Sequence, residues 1–189
     1  EQLPFDAFDA HPVLALCLRE HGAHPLYLSL ADTAYLVQIT SDGVHGSLMP
    51  PFAREQGGGL TNQQVSDIVN GMHRTWGNAG VEGDQAPPPL VSSAKGDPAR
   101  GASLFATHCA ACHGKGGTGG QAAGSIVDSS YLALVSDQAL RSAIICGRLD
   151  LGMPNFAGYA GGHKHSKRAD LPALTNGQVS DIVAWLASH

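Results

Sequence analysis

The chain has 189 residues, of which 43% are hydrophobic and only 14% charged, with a formal net charge of −5. That length suits one large domain or two small ones with a real core, and the acidic balance excludes a phosphate-binding face and hence nucleic acid as a partner. No apolar run reaches the ~18 residues of a membrane span and no signal-peptide pattern opens the chain, as in the mature part of an exported protein; 24 glycines and 11 prolines favour short helices joined by loops over a regular sheet.

Taken in chain order, the first half opens with Cys17-Leu18-Arg19-Glu20-His21-Gly22. Gly43 then precedes Met49-Pro50-Pro51-Phe52-Ala53 by six residues, and residues 60–69 read LTNQQVSDIV. Val65, Ile68, Val69 and Met72 recur at helical spacing and predict a helix with one buried stripe. Residues 83–95 follow, with Pro87-Pro88-Pro89 in their middle, the composition of a stiff, extended linker. In the second half Asp97-Pro98 predicts a helix N-terminus, a capping carboxylate before a proline at the first helical position, and the helix runs from Ala99 to His108. Cys109-Ala110-Ala111-Cys112-His113 comes next, then a glycine-rich loop over 114–124. Leu132 to Val135 fits a helix better than a strand, and a further helix is expected from Asp137 to Ile145. Gly147 precedes Met153-Pro154-Asn155-Phe156-Ala157 by six residues, and residues 174–183 read LTNGQVSDIV. Thr175 caps this last helix, whose apolar stripe is Val179, Ile182, Val183 and Leu186.

Nine of ten positions agree between the two LTNxQVSDIV segments, and each is preceded by the same Gly and Met-Pro in the same order. Three ordered matches of this kind mark a tandem duplication that has drifted. The domains are therefore placed at 1–82 and 96–189, with the linker at 83–95. Charge divides unevenly: nine acids against three bases in 1–82, net −6, and six acids against seven bases in 96–189, net +1.

The chemistry lies in C-x-x-C-H. Two thiols three residues apart on one helical turn can each add to a vinyl group on neighbouring edges of a haem, which places the following His113 beneath the iron. Covalent attachment keeps the cofactor in a domain too small to enclose it. The adjacent histidine and the lack of a second C-x-x-C argue against zinc, and the lack of a β-α-β pattern argues against a thioredoxin-like dithiol.

Over residues ~96–189 this order of elements resembles class I cytochrome c. The resemblance implies an all-α fold, two cytochrome c-like helical domains in tandem, in which one haem c is attached through Cys109 and Cys112 and ligated by His113 and Met153. It implies single-electron transfer and no enzyme activity, since iron with six ligands leaves no position for substrate. Leu104, Phe105, Leu132, Leu134, Ile144, Ile145 and Trp185 are expected to wall the pocket and raise the potential.

In the first half Cys17 falls on Cys109, Glu20 on Cys112, His21 on His113 and Met49 on Met153. Two readings compete: a haem held by one thioether with Cys17, His21 and Met49 (or His45 in place of Met49), or a relic without cofactor. The second is favoured. His21 and Met49 are 28 residues apart, against 40 between His113 and Met153, and Glu20 would bury an unpaired carboxylate where a vinyl edge belongs. Tyr27, Tyr35 and Phe52 would then fill the space.

Smaller signals complete the reading. The basic stretch His163-Lys164-His165-Ser166-Lys167-Arg168 reads as a solvated insertion or a docking patch. His11, His24, His45, His73 and His108 read as surface or capping residues. Cys146 reads as a buried small hydrophobe, and a bridge to Cys17 stays open. The expected partners are redox proteins, in a membrane-bound respiratory or photosynthetic complex, with the chain periplasmic or otherwise extracytoplasmic and held at the membrane by partner subunits. The alternatives are the electron-accepting cytochrome subunit of a dehydrogenase or oxidase and a dihaem protein such as a peroxidase.

Overall fold

The computed structural model describes residues 25–44, 49–77, 87–148, 151–156 and 172–189. The chain divides into two compact units, Glu1–Val81 and Glu82–His189. The architecture is all-α: the described residues hold helices and isolated bridges and no β-strand.

In the first unit α1 (Pro25–Leu30) leads into α2 (Thr33–Asp42). The Asp32 carboxylate caps α2 by accepting from the Tyr35 amide at 2.7 Å, which satisfies one of the N–H groups a helix start leaves unpaired. A turn around Arg54–Gln56 carries the chain to α3 (Asn62–Trp76). Thr61 and Gln64 cap α3 reciprocally, each side chain accepting from the other's amide. The expected stripe of α3, Val65, Ile68, Val69 and Met72, is buried, and α1 and α2 both pack on it.

The second unit contains α4 (Pro98–His108), α5 (Ala110–His113), α6 (Ser129–Leu134), α7 (Asp137–Cys146) and α8 (Asn176–Leu186). Its main contact is the crossing of α4 and α8, with α7 packed on α8 as well. The crossing is close because Gly101 has no side chain: a Cβ there would overlap the Asp181 carbonyl and lie 2.7 Å from Cβ of Trp185. One turn further on, the Phe105 and Trp185 rings meet with centroids 4.4 Å apart. Val179, Ile182 and Leu186 of α8 are buried with Phe105 and Ile145, each contributing about 1.5–3 kcal/mol of transfer free energy.

Two polar side chains pin this core. Asp181, buried on α8, accepts from the Asp97 amide at 2.7 Å and from Arg100 Nε and Nη2 at 2.9 Å each. Arg100 therefore holds the Asp181 carboxyl below the usual carboxylate range, helped by the Asp97 amide and opposed by burial. Arg141, buried on α7, donates to the Pro89 and Leu90 carbonyls, to Ser180 Oγ at 3.3 Å and to Asn176 Oδ1 at 2.5 Å. Residues 87–95 of the expected linker carry no helix or strand, but Arg141 docks this stretch onto the second unit, and Leu90 is buried there.

The units share a local design. Six-residue α1 and α6, ten-residue α2 and α7, Gly43 and Gly147, and Met49 and Met153 all correspond at a constant offset of 104 residues. The Phe52 amide donates to the Thr40 carbonyl and the Phe156 amide to that of Ile144; Leu60 likewise donates to Phe52, and Leu174 to Phe156. Tyr27-Leu28-Ser29-Leu30 and Tyr131-Leu132-Ala133-Leu134 form a fourth matching segment, too short and too commonplace to stand out before the helices were aligned.

Two expected outcomes follow from the crossing. Gly101→Ala would gain about 1 kcal/mol of helix propensity at an exposed site. Here it lowers stability by about 1–3 kcal/mol, because the methyl group must push two backbones apart. A guanidinium melt in which the variant equals or exceeds the wild type would refute this. Asp181 contributes stability that is present above the ordinary carboxylate value near ~4 and is lost as pH falls through its lowered folded value. Asp181→Asn is then less stable at neutral pH and loses less on acidification, which paired denaturation curves at pH 7 and below ~4 measure.

Candidate functional site

Cys109 ends α4, its amide donating to the Phe105 carbonyl at 2.9 Å. The chain then makes one more turn, α5, in which the Cys112 and His113 amides both donate to the Cys109 carbonyl, at 3.1 and 3.0 Å. A break between two helices thus presents both thiols and the imidazole from one turn. Neither cysteine is in a disulfide; Cys112 is exposed and Cys109 partly so.

The following loop folds back on this turn. The Gly119 amide donates to the His113 carbonyl at 2.8 Å and that of Ile126 to Gly117 at 2.9 Å. Gly114, Gly116, Gly117 and Gly119 all have positive φ, which lets the backbone turn sharply without side chains in the way.

His113 is half-buried, its ring 6.5 Å from that of Phe105. Burial pushes the imidazole below its ordinary value, with the Gly124 carbonyl acting in the opposite direction. Nδ1 is buried and makes no bond of hydrogen-bond distance and angle. A neutral imidazole with a lone pair to give is a metal ligand, and a ligating histidine ordinarily donates its other nitrogen to a carbonyl, for which Gly124 is at hand.

Met153 stands on the arm between α7 and α8. Its amide donates to the Arg148 carbonyl and its carbonyl accepts from the Arg148 amide, both at 2.9 Å. Around this region apolar side chains face outward: Leu134 is 76% exposed, Leu151 71% and Tyr131 39%.

Several expected residues sit elsewhere. Of the residues expected to wall the pocket, Phe105, Ile144 and Ile145 are buried, Leu132 and Trp185 are half-buried, and Leu134 is exposed. Leu134 ends a six-residue helix that makes no substantial contact with the other described helices, so no described helix covers it. Leu104 lines a groove with Ala99, Arg100 and Asp181, beside the α4–α8 crossing. His108 is buried against expectation, its ring edge-on to Phe156 at 6.2 Å, because the last turn of α4 carries it inward. His73 is half-buried on α3. Cys146 is a buried free thiol. Cys17, Glu20, His21, His45 and the basic stretch 163–168 lie outside the described residues. In the first unit Phe52 is buried while Tyr27 and Tyr35 are half-buried. Among the described residues no three His, Cys, Asp or Glu side chains gather as a metal cluster.

These residues fit a covalently held haem: two reduced thiols and a neutral imidazole on one turn, a loop that can lie close to a flat ring, and outward-facing apolar side chains nearby. Helix, C-x-x-C-H turn, glycine loop, paired helices, methionine arm and crossing helix, in that order, define a small electron-transfer domain. Residues 96–169 match the family described as cytochrome C oxidase, cbb3-type, subunit III. They form a cytochrome c domain, and such a domain binds haem c covalently. No curated relative matches the chain.

The Cys146 thiol, pushed up to about 12 by burial, is inert toward electrophiles that need the thiolate. Iodoacetamide at pH ~8 should leave Cys146 unlabelled in the native protein and label it after denaturation, read by peptide mass mapping. Labelling of the native protein at the rate of an exposed thiol would show that the site opens.

Proposed function

We propose that this chain is a single-electron carrier whose one haem c is anchored by Cys109 and Cys112 and ligated by His113 and Met153. The observation that carries the assignment is the 109–113 turn, where two thiols outside any disulfide and a half-buried imidazole leave one helical turn of a cytochrome c domain. The bound group supplies reversible exchange between ferrous and ferric iron. The chain supplies the rest: His113 presents a neutral nitrogen, Met153 offers a thioether, which favours the reduced state and a high potential, and Phe105, Ile144 and Ile145 keep water from the interior.

The first unit is read as haem-free, a descendant of the same ancestral domain. Three residues, 22–24, separate His21 from α1, where fifteen, 114–128, separate His113 from α6. The whole glycine loop therefore has no counterpart. Helix α1 packs on α3 with Leu28 only 1% exposed, whereas the matching Leu132 is half-buried. This inward packing supports a unit that fills its own interior, since an unfilled cavity of haem size would be strongly destabilising. With its net charge of −6 over residues 1–82, this unit would serve as a docking module for a basic face on a partner.

The setting is an extracytoplasmic electron-transfer complex at a membrane. No helix among the described residues is long and apolar enough to cross one, and contacts with redox partner subunits would place the haem domain within reach of them. The family match to an oxidase subunit favours a terminal oxidase as the destination of the electron.

Intact mass of the purified chain should show one haem per polypeptide, and two would overturn the reading of the first unit. Met153→Ala should abolish the weak charge-transfer absorption of Met-ligated ferric haem and lower the potential. A second imidazole on the native iron, detected by electron paramagnetic resonance, would replace Met153 as ligand.

A further inference from the structure

We propose that Gly147 and the paired hydrogen bonds between Arg148 and Met153 position the methionine from the protein side, so that the chain, and not the iron, fixes the sixth ligand. This rests on Met153 being that ligand. Gly147 ends α7 with φ 74° and ψ −179°, a region that only glycine enters without strain. A Cβ there would lie 2.6 Å from the Asn155 nitrogen and the Pro154 carbonyl carbon and 2.7 Å from the Met153 oxygen. The Met-Pro-Asn backbone therefore runs directly across the glycine, in space any other residue would fill.

The arm is tied at both ends. On one side the Gly147 amide closes α7 onto the Ala143 carbonyl at 2.9 Å; on the other Phe156 donates to Ile144 at 3.1 Å and Leu174 donates to Phe156 at 2.8 Å. Asn155 and Phe156 are buried. Both backbone groups of Met153 are used by Arg148, and Pro154 holds Met153 in an extended conformation. Only the thioether side chain retains freedom.

The first unit repeats the device with different side chains. Gly43 has φ 72° and ψ −175°, and a Cβ there would lie 2.7–2.8 Å from Pro50, Pro51 and Met49 backbone atoms. The Val44 amide donates to the Met49 carbonyl at 3.0 Å. Val44 replaces Arg148, Pro51 replaces Asn155 and Thr40 replaces Ile144, yet the glycine makes the same close approach to the Met-Pro backbone. The geometry thus belongs to the glycine and the Met-Pro six residues later, and not to the particular side chains around them.

The test is a titration of the ferric holoprotein with imidazole, followed by loss of the Met–iron charge-transfer absorption, together with a redox titration. Gly147→Ala should tighten apparent imidazole binding by about tenfold, the equivalent of the strain an L-residue carries at such a backbone position. It should also lower the potential. Gly43→Ala places the same strain in the other unit and should leave both readouts unchanged. Unchanged imidazole affinity and potential in Gly147→Ala would overturn the proposal, as would equal shifts in both variants. If Gly147→Ala yields no folded holoprotein, native-state hydrogen exchange on the wild type decides. The Arg148 and Met153 amides should exchange as slowly as those near the end of α7, and rapid exchange would mean that the iron alone holds the arm. Failure of the ligand assignment looks different: the wild-type ferric protein itself would lack the charge-transfer absorption, and the inference would fall with it.

Discussion

The crossing of α4 and α8 at Gly101 is the contact on which the second unit depends. A missing side chain lets two backbones touch, and that closeness brings the Phe105 and Trp185 rings together and puts Asp181 within reach of the α4 N-terminus. Dispersion gains fall steeply with separation, so a gap of half an ångström along this seam would forfeit much of the packing. The first and last helices of the unit are joined here. Everything between them, including the C-x-x-C-H turn and the methionine arm, is a loop closed by that junction. Position along α4 also sets where the helix stops, and therefore where Cys109, Cys112 and His113 emerge.

Electron transfer by such a domain needs little movement and a dry interior. The described geometry supplies the dry interior. The interior is built from Phe105, Ile144, Ile145, Val179 and Ile182, none of which carries a group that must be resolvated when the charge on the iron changes. Among the described residues the two buried charged side chains, Asp181 and Arg141, are each fully engaged: Asp181 with Arg100 and the Asp97 amide, Arg141 with carbonyl, hydroxyl and amide oxygens. Both hold helices and the preceding chain segment in place. A buried guanidinium served by neutral acceptors has its charge disfavoured by desolvation, so its value lies in fixing the segment 89–90 against α7 and α8, more than in net stability.

The two units show how one local design supports different interiors. Both keep the short helix, the longer helix, the left-handed glycine and the methionine arm in the same order and with matching hydrogen bonds. They differ in the stretch before the short helix. Where the long glycine loop is present, the Tyr-Leu-x-Leu helix leaves Leu132 half-buried and Leu134 exposed; where it is missing, the equivalent helix folds onto α3, with Leu28 buried and Leu30 half-buried. A backbone scaffold set by glycine, proline and capping residues tolerates that change because its hydrogen bonds do not pass through the loop.

The sequence alone determined the all-α class, the capped starts of α4 and α8 and the apolar stripes of α3 and α8, because each depends on residues within one or two turns of each other. It also disclosed the candidate haem-binding turn, since the chemistry of C-x-x-C-H is local to five residues, and the repeated segments, since identity at fixed spacing needs no structure to be seen. Tertiary structure alone decided what depends on distant neighbours. Gly101 looks like any glycine, and Gly147 like no more than a mark of the repeat, until the backbone crossing each one is known. His108 turned inward and Leu134 outward because burial is settled by what packs opposite, which no local pattern encodes. Arg141 reads as a surface charge on an amphipathic helix, and became a buried clamp only when the chain at 89–90 came to lie across it.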